Sequence, residues 1–199
     1  IEKVHLLAHD YGDTVAQELL ARFAERRKKN DPTVLQIESA VLLNGGLFPD
    51  VHQPLPIQKA LMSPVGILLT PFLSKAKLRD SFQRIFGPDT QATSAEIDAF
   101  YELMSRDRGK YIFHKLIRYM AERTQHKARW MTALQGTELP MRLINGSLDP
   151  ISGKHMADYY EQHIPDADVI HLPTIGHYPQ TEAPEQLLPH FFDFHDKLS

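Results

Sequence analysis

The start of the chain constrains the fold most, because a short apolar run passes straight into a helical pattern. Residues 4–8 read Val-His-Leu-Leu-Ala, which is short enough for a buried strand. Apolar side chains then recur on one helical face over residues 15–23. Asp31-Pro32 is predicted to end this helix, and residues 37–43 form a second apolar run. A strand–helix–strand unit of this length predicts an α/β fold with a parallel sheet.

Residues 47–135 change character and are predicted to form a helical insertion. Prolines are frequent in the first half of this segment, and we find no convincing strand pattern in it. Thr93 or Ser94, with Glu96 nearby, marks the start of a helix. Helical patterns cover residues 94–106 and 112–123.

Strand patterns return near the end of the chain. Apolar runs cover residues 141–145 and 168–172, with a helical pattern between them at 153–163 and a final helix from about Pro184. Pro189 predicts a kink or an early break in that last helix. The chain is therefore predicted to divide into core residues 1–46, a helical segment at 47–135 and core residues 136–199.

The composition excludes several classes of protein. The chain has 199 residues and a net charge of −3, so nothing in its charge favours nucleic acid or an anionic membrane surface as a partner. It has no cysteine, which excludes a thiolate nucleophile, a disulfide framework and a cysteine zinc site. Its apolar stretches are far shorter than a membrane span. We expect a soluble protein of the reducing cytoplasm, with no cofactor and no metal.

Asp10 is a candidate nucleophile because of where it falls in the first turn. A strand that turns abruptly into a helix holds its turn residue in a strained backbone and projects that side chain above the sheet. Ala8 and Gly12 are the small residues that such a turn needs on either side. The helix dipole and the turn amides would keep a carboxylate at this position ionised. The alternative is that Asp10 merely caps the helix.

Two further residues follow strands and could complete a catalytic set. His177 lies on a loop after the last strand, where an imidazole can reach across the sheet edge. Asp149 follows another strand, although Asp-Pro is ordinarily turn chemistry. Taken together, Asp10, Asp149 and His177 lie at three strand ends in the order nucleophile, acid, histidine, which is the chain order of α/β-hydrolases.

The motifs around these residues resemble those of known α/β-hydrolases. Residues 9–12, His-Asp-Tyr-Gly, resemble the His-Asp-Trp-Gly elbow of haloalkane dehalogenases and epoxide hydrolases, and residues 176–184 resemble their Gly-His-x-x-x-x-Glu-x-Pro motif. Residues 146–149 are similar to their acid loop. His-Asp-Tyr-Gly-Asp at 9–13 and Val-Ala-Gln-Glu-Leu-Leu at 15–20 resemble the mesoderm-specific transcript group, as do Asn-Gly-Gly at 44–46 and Arg-Trp at 129–130.

This resemblance implies an α/β-hydrolase fold with a helical cap and an enzyme that acts on a small hydrophobic molecule. It implies that Asp10 attacks an electrophilic carbon to form an ester, that His177 activates the water that hydrolyses it, and that Asp149 orients the imidazole. The backbone N–H of Tyr11 would form half of an oxyanion hole. Among the cap tyrosines 101, 111 and 119, Tyr119 best resembles the proton donor of epoxide hydrolases.

The sequence departs from these families at two places. Tyr11 stands where dehalogenases carry a tryptophan that holds the leaving halide, which disfavours dehalogenation. The chain also begins at the strand before the elbow, whereas this fold has four earlier strands and a turn that supplies the second oxyanion N–H. We therefore expect that this sequence is the C-terminal portion of a longer protein and that it is inactive by itself.

Three alternatives to an epoxide-hydrolase-like enzyme remain open at this stage. One is a haloalkane-dehalogenase-like hydrolase. Another is a metal-dependent hydrolase with His5, His9 and Asp10 as ligands, although no further acidic cluster completes that set. The third is a scaffold that has kept the fold and lost the chemistry, because fold does not imply function.

Overall fold

Four short apolar runs form a single parallel sheet, as the sequence predicts. In this computed structural model the described residues are 1–31, 33 and 35–198. The strands lie side by side in the order β1-β2-β3-β4, and each neighbouring pair is parallel. The predicted bounds are confirmed for β4, and they are one residue short at both ends of β1, at the start of β2 and at the end of β3. The strands are β1 (Lys3–His9), β2 (Gln36–Leu43), β3 (Met141–Gly146) and β4 (Asp168–Leu172).

Helices connect the strands and cover both faces of the sheet. Helices α1 and α8 pack in one apolar cluster with β2 and β3, while α10 packs in another on the opposite face. In chain order, the helices are α1 (Tyr11–Lys28), α2 (Pro56–Met62), α3 (Gly66–Leu69), α4 (Lys75–Ile85), α5 (Ser94–Ser105), α6 (Phe113–Leu116), α7 (Tyr119–Gln135), α8 (Lys154–His163), α9 (Pro179–Glu182) and α10 (Pro184–Asp196).

The centre of the sheet supplies most of the apolar core. Val41 and Leu42 of β2 are fully buried and face opposite sides of the sheet, each within one of the two clusters. Burying a side chain of this kind contributes about 1.5–3 kcal/mol. Because β2 pairs with β1 and β3, and β3 pairs with β4, all in parallel, the carboxyl ends of the four strands lie along one edge of the sheet.

Residues 47–135 contain helices and no strand among those that the structure describes. Helix α5 begins where the sequence predicts, and its start is a capping box in which the side chains of Thr93 and Glu96 each bond the other's backbone N–H. The predicted helix over 112–123 is wrong in its bounds. Two 3₁₀ segments, Thr70–Phe72 and Arg106–Ile112, flank short helices, and the second one contains residues with positive φ that interrupt a regular helix.

Helix α7 begins later than predicted and runs on to Gln135, because it packs along α1. Its Trp130 is buried and donates a 2.8 Å hydrogen bond to Glu18 of α1, and Arg129 pairs with the same carboxylate. Further along, Arg123 donates a 2.7 Å hydrogen bond to Thr14 of α1. These contacts fix the helical segment to the helix that follows the first strand.

Two predicted helix ends differ from the structure. Helix α1 ends at Lys28, before Asp31, and Pro32 lies outside the described residues. Helix α10 continues through Pro189 to Asp196, so the predicted early break is wrong. Pro189 removes a bond to a carbonyl in the first turn only, and the buried Phe194 holds the later turns against the sheet.

Across the described ranges, no helix is both long enough and apolar enough to span a membrane.

Candidate active site

The structure brings the three predicted residues together at the carboxyl edge of the sheet. Asp10 follows β1, Asp149 follows β3 and His177 follows β4. His177 Nδ1 donates a 2.7 Å hydrogen bond to Asp149 Oδ2, while its Nε2 lies 3.9 Å from Asp10 Oδ2. The second distance is that of an ion pair and exceeds a hydrogen bond. The imidazole therefore lies between two carboxylates, with one bonded tightly and the other within reach.

Asp10 has the strained backbone that the sequence predicts, with φ 50° and ψ −107°. Positive φ in a residue other than glycine costs about 1–3 kcal/mol and persists only where the surroundings enforce it. Here the Asp10 N–H donates to Leu43 O of the neighbouring strand, and its carbonyl accepts from Arg123 Nη2 at 3.2 Å. The side chain makes no capping hydrogen bond, so the alternative that Asp10 merely caps α1 is wrong.

The small residues around the elbow have a packing role. A Cβ built on Gly12 would lie 3.6 Å from Cβ of Ala8, which is ordinary van der Waals contact. The strand and the helix therefore leave room for a methyl group at position 12, and larger side chains would be crowded there.

Asp149 is buried, and hydrogen-bond donors surround its carboxylate. Its Oδ2 accepts from His177, from Asn44 Nδ2 at 3.1 Å and from both the hydroxyl and the backbone N–H of Ser152. Its Oδ1 accepts from the backbone N–H of Ile151 at 2.7 Å. A carboxylate with five donors is fixed in orientation before any substrate arrives, and it can hold His177 in a single tautomer.

Asn44 joins the ends of two strands beneath this carboxylate. It follows β2, and its side chain accepts from the backbone N–H of Gly146 at 2.7 Å and donates to the carbonyl of the same residue at 2.9 Å. A Cβ on Gly146 would collide with the carbonyl oxygen of Gly176 on the histidine loop. Glycine at position 146 therefore permits the close approach of the two loops on which the Asp149–His177 bond depends.

The histidine loop is bonded to the helical segment as well as to the sheet. The His177 N–H donates a 2.7 Å hydrogen bond to Ile85 O at the end of α4. Glu182, a residue of the motif noted in the sequence, accepts from the backbone N–H groups of Gly87, Gly176 and Tyr178. This one carboxylate therefore holds the loop in shape and anchors it to residues 85–87.

The charges of the site reinforce one another. Burial lowers the pKa of His177, but the carboxylates of Asp149 and Asp10 outweigh burial and raise it to about 10. Burial likewise opposes ionisation of Asp10, yet the nearby His177 and Arg123 hold its pKa below the ordinary range. The pKa of Asp149 is also lowered, because His177 and the donors around it overcome the effect of burial. In the resting site both carboxylates are ionised and the imidazole is protonated.

Tyr119 reaches Asp10 from the helical segment, whereas the other two candidate tyrosines face elsewhere. The Tyr119 hydroxyl lies 3.4 Å from Asp10 Oδ1, and its ring packs against that of Tyr11, with centroids 4.4 Å apart and the planes tilted by 31°. Burial, and then the charge of Asp10, raise the pKa of the Tyr119 hydroxyl. The ring of Tyr111 faces Arg108, and no contact joins Tyr101 to Asp10 among the described residues.

A second group of polar atoms is buried beneath the elbow, and these atoms lack partners. Both carboxylate oxygens of Asp13, both ring nitrogens of His52, Arg123 Nη1 and Gln17 Oε1 are without a hydrogen bond among the described residues. Burial raises the pKa of Asp13 well above its ordinary value, and Arg123 offsets only part of this effect. The Asp13 carboxyl therefore holds a proton more readily than an exposed aspartate does, and it lies near the buried Arg123 guanidinium.

Several of these residues were missed by the sequence reasoning. His9 was considered only as a metal ligand, but its Nε2 donates to the backbone carbonyl of His177 at 2.7 Å. Burial lowers the pKa of His9 to about 4, so it makes this bond as a neutral ring. Asn44 carried a usable signal, because it is a polar residue directly after a strand. Arg123 carried no such signal, because its partners Thr14 and Asp10 are far away in the sequence. Ser152 carried none, because its bond to Asp149 depends on the geometry of the loop.

The metal-dependent alternative is wrong in its ligands. His5 contacts Ser39 and Glu38, while His9 bonds the histidine loop, so the two rings do not converge with Asp10 on one point. Within the described part of the chain, the one cluster with suitable spacing is Asp158, Glu161 and His171, which is partly exposed and separate from the catalytic candidates.

The architecture matches that of known hydrolases. No protein-family model matches the chain. A haloalkane dehalogenase variant from Bradyrhizobium elkanii superposes on all of this chain and on 68% of its own, with a TM-score of 0.77 at 18% identity. At this identity the likeness concerns the fold alone, and it confirms the predicted α/β-hydrolase fold. The chain therefore has the α/β-hydrolase fold.

The chain also resembles several curated proteins in sequence. The chain is 35% identical over 198 residues to the mesoderm-specific transcript protein of Mus musculus, a match that covers 96% of this chain and 57% of that protein. It is 36% identical over 182 residues to LipZ of Mycobacterium tuberculosis, covering 92% of this chain and 62% of LipZ. The resemblance to the mesoderm-specific transcript group is confirmed, and the chain spans 57–62% of the length of these curated relatives.

Proposed function

We propose that this protein is a hydrolase that opens epoxides of small hydrophobic molecules through an ester formed on Asp10. The observation that carries the proposal is the position of His177, hydrogen-bonded to Asp149 on one side and 3.9 Å from Asp10 on the other. A histidine that served Asp149 alone would have no reason to face a second, strained and ionised aspartate.

In the first step, a carboxylate oxygen of Asp10 attacks an epoxide carbon. A carbon–oxygen bond forms as the ring carbon–oxygen bond breaks, and the released oxygen takes the proton of the Tyr119 hydroxyl. In the resting site the charge of Asp10 opposes ionisation of Tyr119. Attack removes that charge at the moment when the phenolate forms, and Arg123, with its guanidinium carbon 4.5 Å from the ring centre, stabilises the phenolate.

In the second step, water hydrolyses the ester. Once Asp10 is esterified, one of the two carboxylates that raise the pKa of His177 is gone, so the ring releases its proton to solvent and becomes a base. It takes a proton from solvent again when the Asp10 carboxylate is restored at the end of the cycle. His177 deprotonates water, the hydroxide adds to the carbonyl carbon of Asp10, and the bond from that carbon to the bridging oxygen breaks. The bridging oxygen came from the Asp10 carboxylate and leaves in the diol. That oxygen takes the proton from His177, and the proton left on the Asp10 carboxyl returns to Tyr119.

The backbone N–H of Tyr11 is proposed to stabilise the oxyanion of this second step. Tyr11 is the first residue of α1, and the first N–H groups of a helix have no partner within the helix. Asp10 is directly next to it in the chain, so this donor lies at the position where the negative charge develops.

We propose that residues 47–135 act as a cap that closes over this site. Helix α7 of this segment carries Tyr119 to Asp10, and the end of α4 accepts the hydrogen bond from His177. Epoxides are favoured over haloalkanes because Tyr119 offers a proton to a leaving oxygen, while Tyr11 replaces the tryptophan that would hold a halide.

The test is to capture the ester. The His177→Ala variant of the full-length protein is incubated with panels of alkyl and aryl epoxides, haloalkanes and esters, and its mass is then measured with peptide mapping. An adduct on Asp10 from epoxides supports the proposal. An adduct from haloalkanes alone would move the assignment to dehalogenation. No adduct from any panel, with ligand binding demonstrated by a thermal shift, would favour a scaffold without chemistry.

A further inference from the structure

One part of the helical segment combines exposed apolar side chains with an excess of positive charge. It consists of residues 56–72 and 106–118, here called the basic apolar unit. These two stretches form one surface, because α2 packs on α3 and α6, and the two 3₁₀ segments pack on each other.

The apolar side chains of this unit are unusually exposed. Nine of its large hydrophobic residues are exposed, with Leu68 at 65% and Phe72 at 75%. Buried side chains of the same helices, Leu61 and Ile117 among them, form a small core beneath them. The outward-facing side chains are therefore a separate set that the fold itself leaves in water. Contiguous exposed apolar surface on a folded domain marks an interaction site.

The charge of the unit selects the kind of partner. It contains six lysine or arginine residues and one acidic residue, so its net charge is +5, whereas the whole chain carries −3 and the remainder therefore carries −8. Residues 56–72 contain no acidic side chain at all. Arg108 and Lys110 lie about 5.4 Å from the ring centre of Tyr111, so cations and exposed apolar groups are interleaved.

We infer that the basic apolar unit docks on the surface of an anionic phospholipid bilayer. Apolar side chains that enter the headgroup region, surrounded by lysine and arginine, are the pattern of interfacial membrane binding. The overall negative charge of the chain does not oppose this mode of binding, since all but one of the acidic residues lie outside the unit. Charges are screened beyond about 10 Å at moderate salt.

Docking in this way would bring the candidate active site close to the bilayer surface. The buried cluster under the unit includes Tyr119, whose hydroxyl lies 3.4 Å from Asp10. A hydrophobic molecule dissolved in the bilayer would therefore approach the elbow from the membrane side. Bilayer binding goes beyond the proposed reaction and does not depend on it.

The experiment is a flotation assay of the purified chain without substrate. Vesicles of phosphatidylcholine are compared with vesicles of equimolar phosphatidylcholine and phosphatidylserine. We expect binding to the anionic vesicles that weakens as salt is raised. The double variant Leu68→Ser/Phe72→Ser should bind at least about tenfold more weakly. The double variant Lys59→Gln/Lys115→Gln should bind about 25-fold more weakly, at about fivefold for each cation.

Matched controls carry the same substitutions elsewhere on the surface. Leu188→Ser/Phe192→Ser changes two exposed apolar residues of α10, and Lys28→Gln/Lys29→Gln removes two cations at the end of α1. Both should bind as the unchanged chain does, with all melting temperatures compared. Asp10→Asn should also bind unchanged, which separates this proposal from the hydrolase chemistry.

Three results would overturn the inference. The unchanged chain could stay unbound with anionic vesicles, or it could bind neutral and anionic vesicles equally. The variants of the unit could also bind as tightly as their controls. Self-association in light scattering that Phe72→Ser abolishes, without vesicle binding, would assign the surface to a second protein chain instead.

Discussion

The two halves of the candidate site are built in opposite ways. Around Asp149 and His177, both carboxylate oxygens of the acid are hydrogen-bonded and the two side chains are buried. Beneath Asp10, the buried side chains of Asp13 and Arg123 retain polar atoms without partners among the described residues. The first half is held by its own hydrogen bonds. The second is held in place mainly by the packing of α7 against α1, and it remains electrostatically strained.

The two halves should therefore differ in how substitutions affect stability and activity. Satisfied donors fix a base and its orienting acid before substrate binds. Unsatisfied buried charges cost stability and make the local charge balance sensitive to each member. Substitutions around Asp149 and His177 should therefore lower both stability and activity. Substitutions around Asp10 should change one of these two properties and leave the other nearly unchanged.

The largest effect is expected from Asp10→Asn, which should lower kcat by about 10⁴-fold or more, because an amide cannot form the ester. Stability should change by less than about 1 kcal/mol, since asparagine tolerates positive φ. Steady-state turnover and urea unfolding measure the two quantities. Activity within tenfold of the unchanged protein would remove Asp10 from the mechanism.

Asp149→Ala should lower both the turnover rate and the stability of the protein. We expect kcat to fall by about 10³-fold and the free energy of unfolding to fall by about 2–4 kcal/mol, because the buried donors of Asn44, Ser152 and His177 lose their acceptor. Paired kinetic and urea-unfolding measurements make the check. A loss of activity with unchanged stability would contradict the account of a half held by its own hydrogen bonds.

Tyr119→Phe should lower kcat on epoxides by about 10²-fold, since the leaving oxygen loses its proton donor. The ring still packs against Tyr11, so the melting temperature should hardly move. Tyr111→Phe is the matched control and should keep full activity, because that hydroxyl belongs to the exposed surface. Equal rates for the two variants would exclude Tyr119 as the donor.

Asp13→Asn tests the strained half through its pH dependence. The folded-state pKa of Asp13 lies well above 3.8, so above that pH the unfolded chain releases a proton that the folded chain retains. Rising pH therefore favours unfolding of the parent, and the stability of the variant relative to the parent should increase with pH, by up to about 1.4 kcal/mol for each pH unit. Urea unfolding at pH 5 and pH 6 measures the difference. A constant gap between the two proteins would contradict a raised pKa of the buried Asp13.

The sequence predicted the parts of this fold that depend on local pattern. Apolar runs bounded by turn residues gave all four strands, and Thr93 with Glu96 nearby gave the start of α5. The helices between residues 56 and 85 were missed, because their prolines read as breakers. Two of those prolines occupy first-turn positions, where proline is favoured: Pro56 in α2 and Pro71 in a 3₁₀ segment. The division into core and cap stays a prediction.

The sequence predicts only those residues of the site whose position after a strand is visible in the local pattern. Asp10, Asp149 and His177 follow strands, and the shared edge of a parallel sheet brings them together. Arg123 and Asn44 act through partners about a hundred residues away, at Thr14 and Gly146, and no local pattern encodes such a distance. The roles of Tyr11 and Tyr119 stay predictions until chemistry is measured.

The central claim is that Asp10 carries the ester, and isotope labelling tests it most directly. The unchanged protein is put through a single turnover with an epoxide in heavy-oxygen water, and its peptides are then analysed by mass spectrometry. Hydrolysis at the Asp10 carbonyl carbon places solvent oxygen in the Asp10 carboxylate, so label should appear in that residue and not in Asp149. A diol that carries the solvent oxygen while Asp10 stays unlabelled would contradict the account.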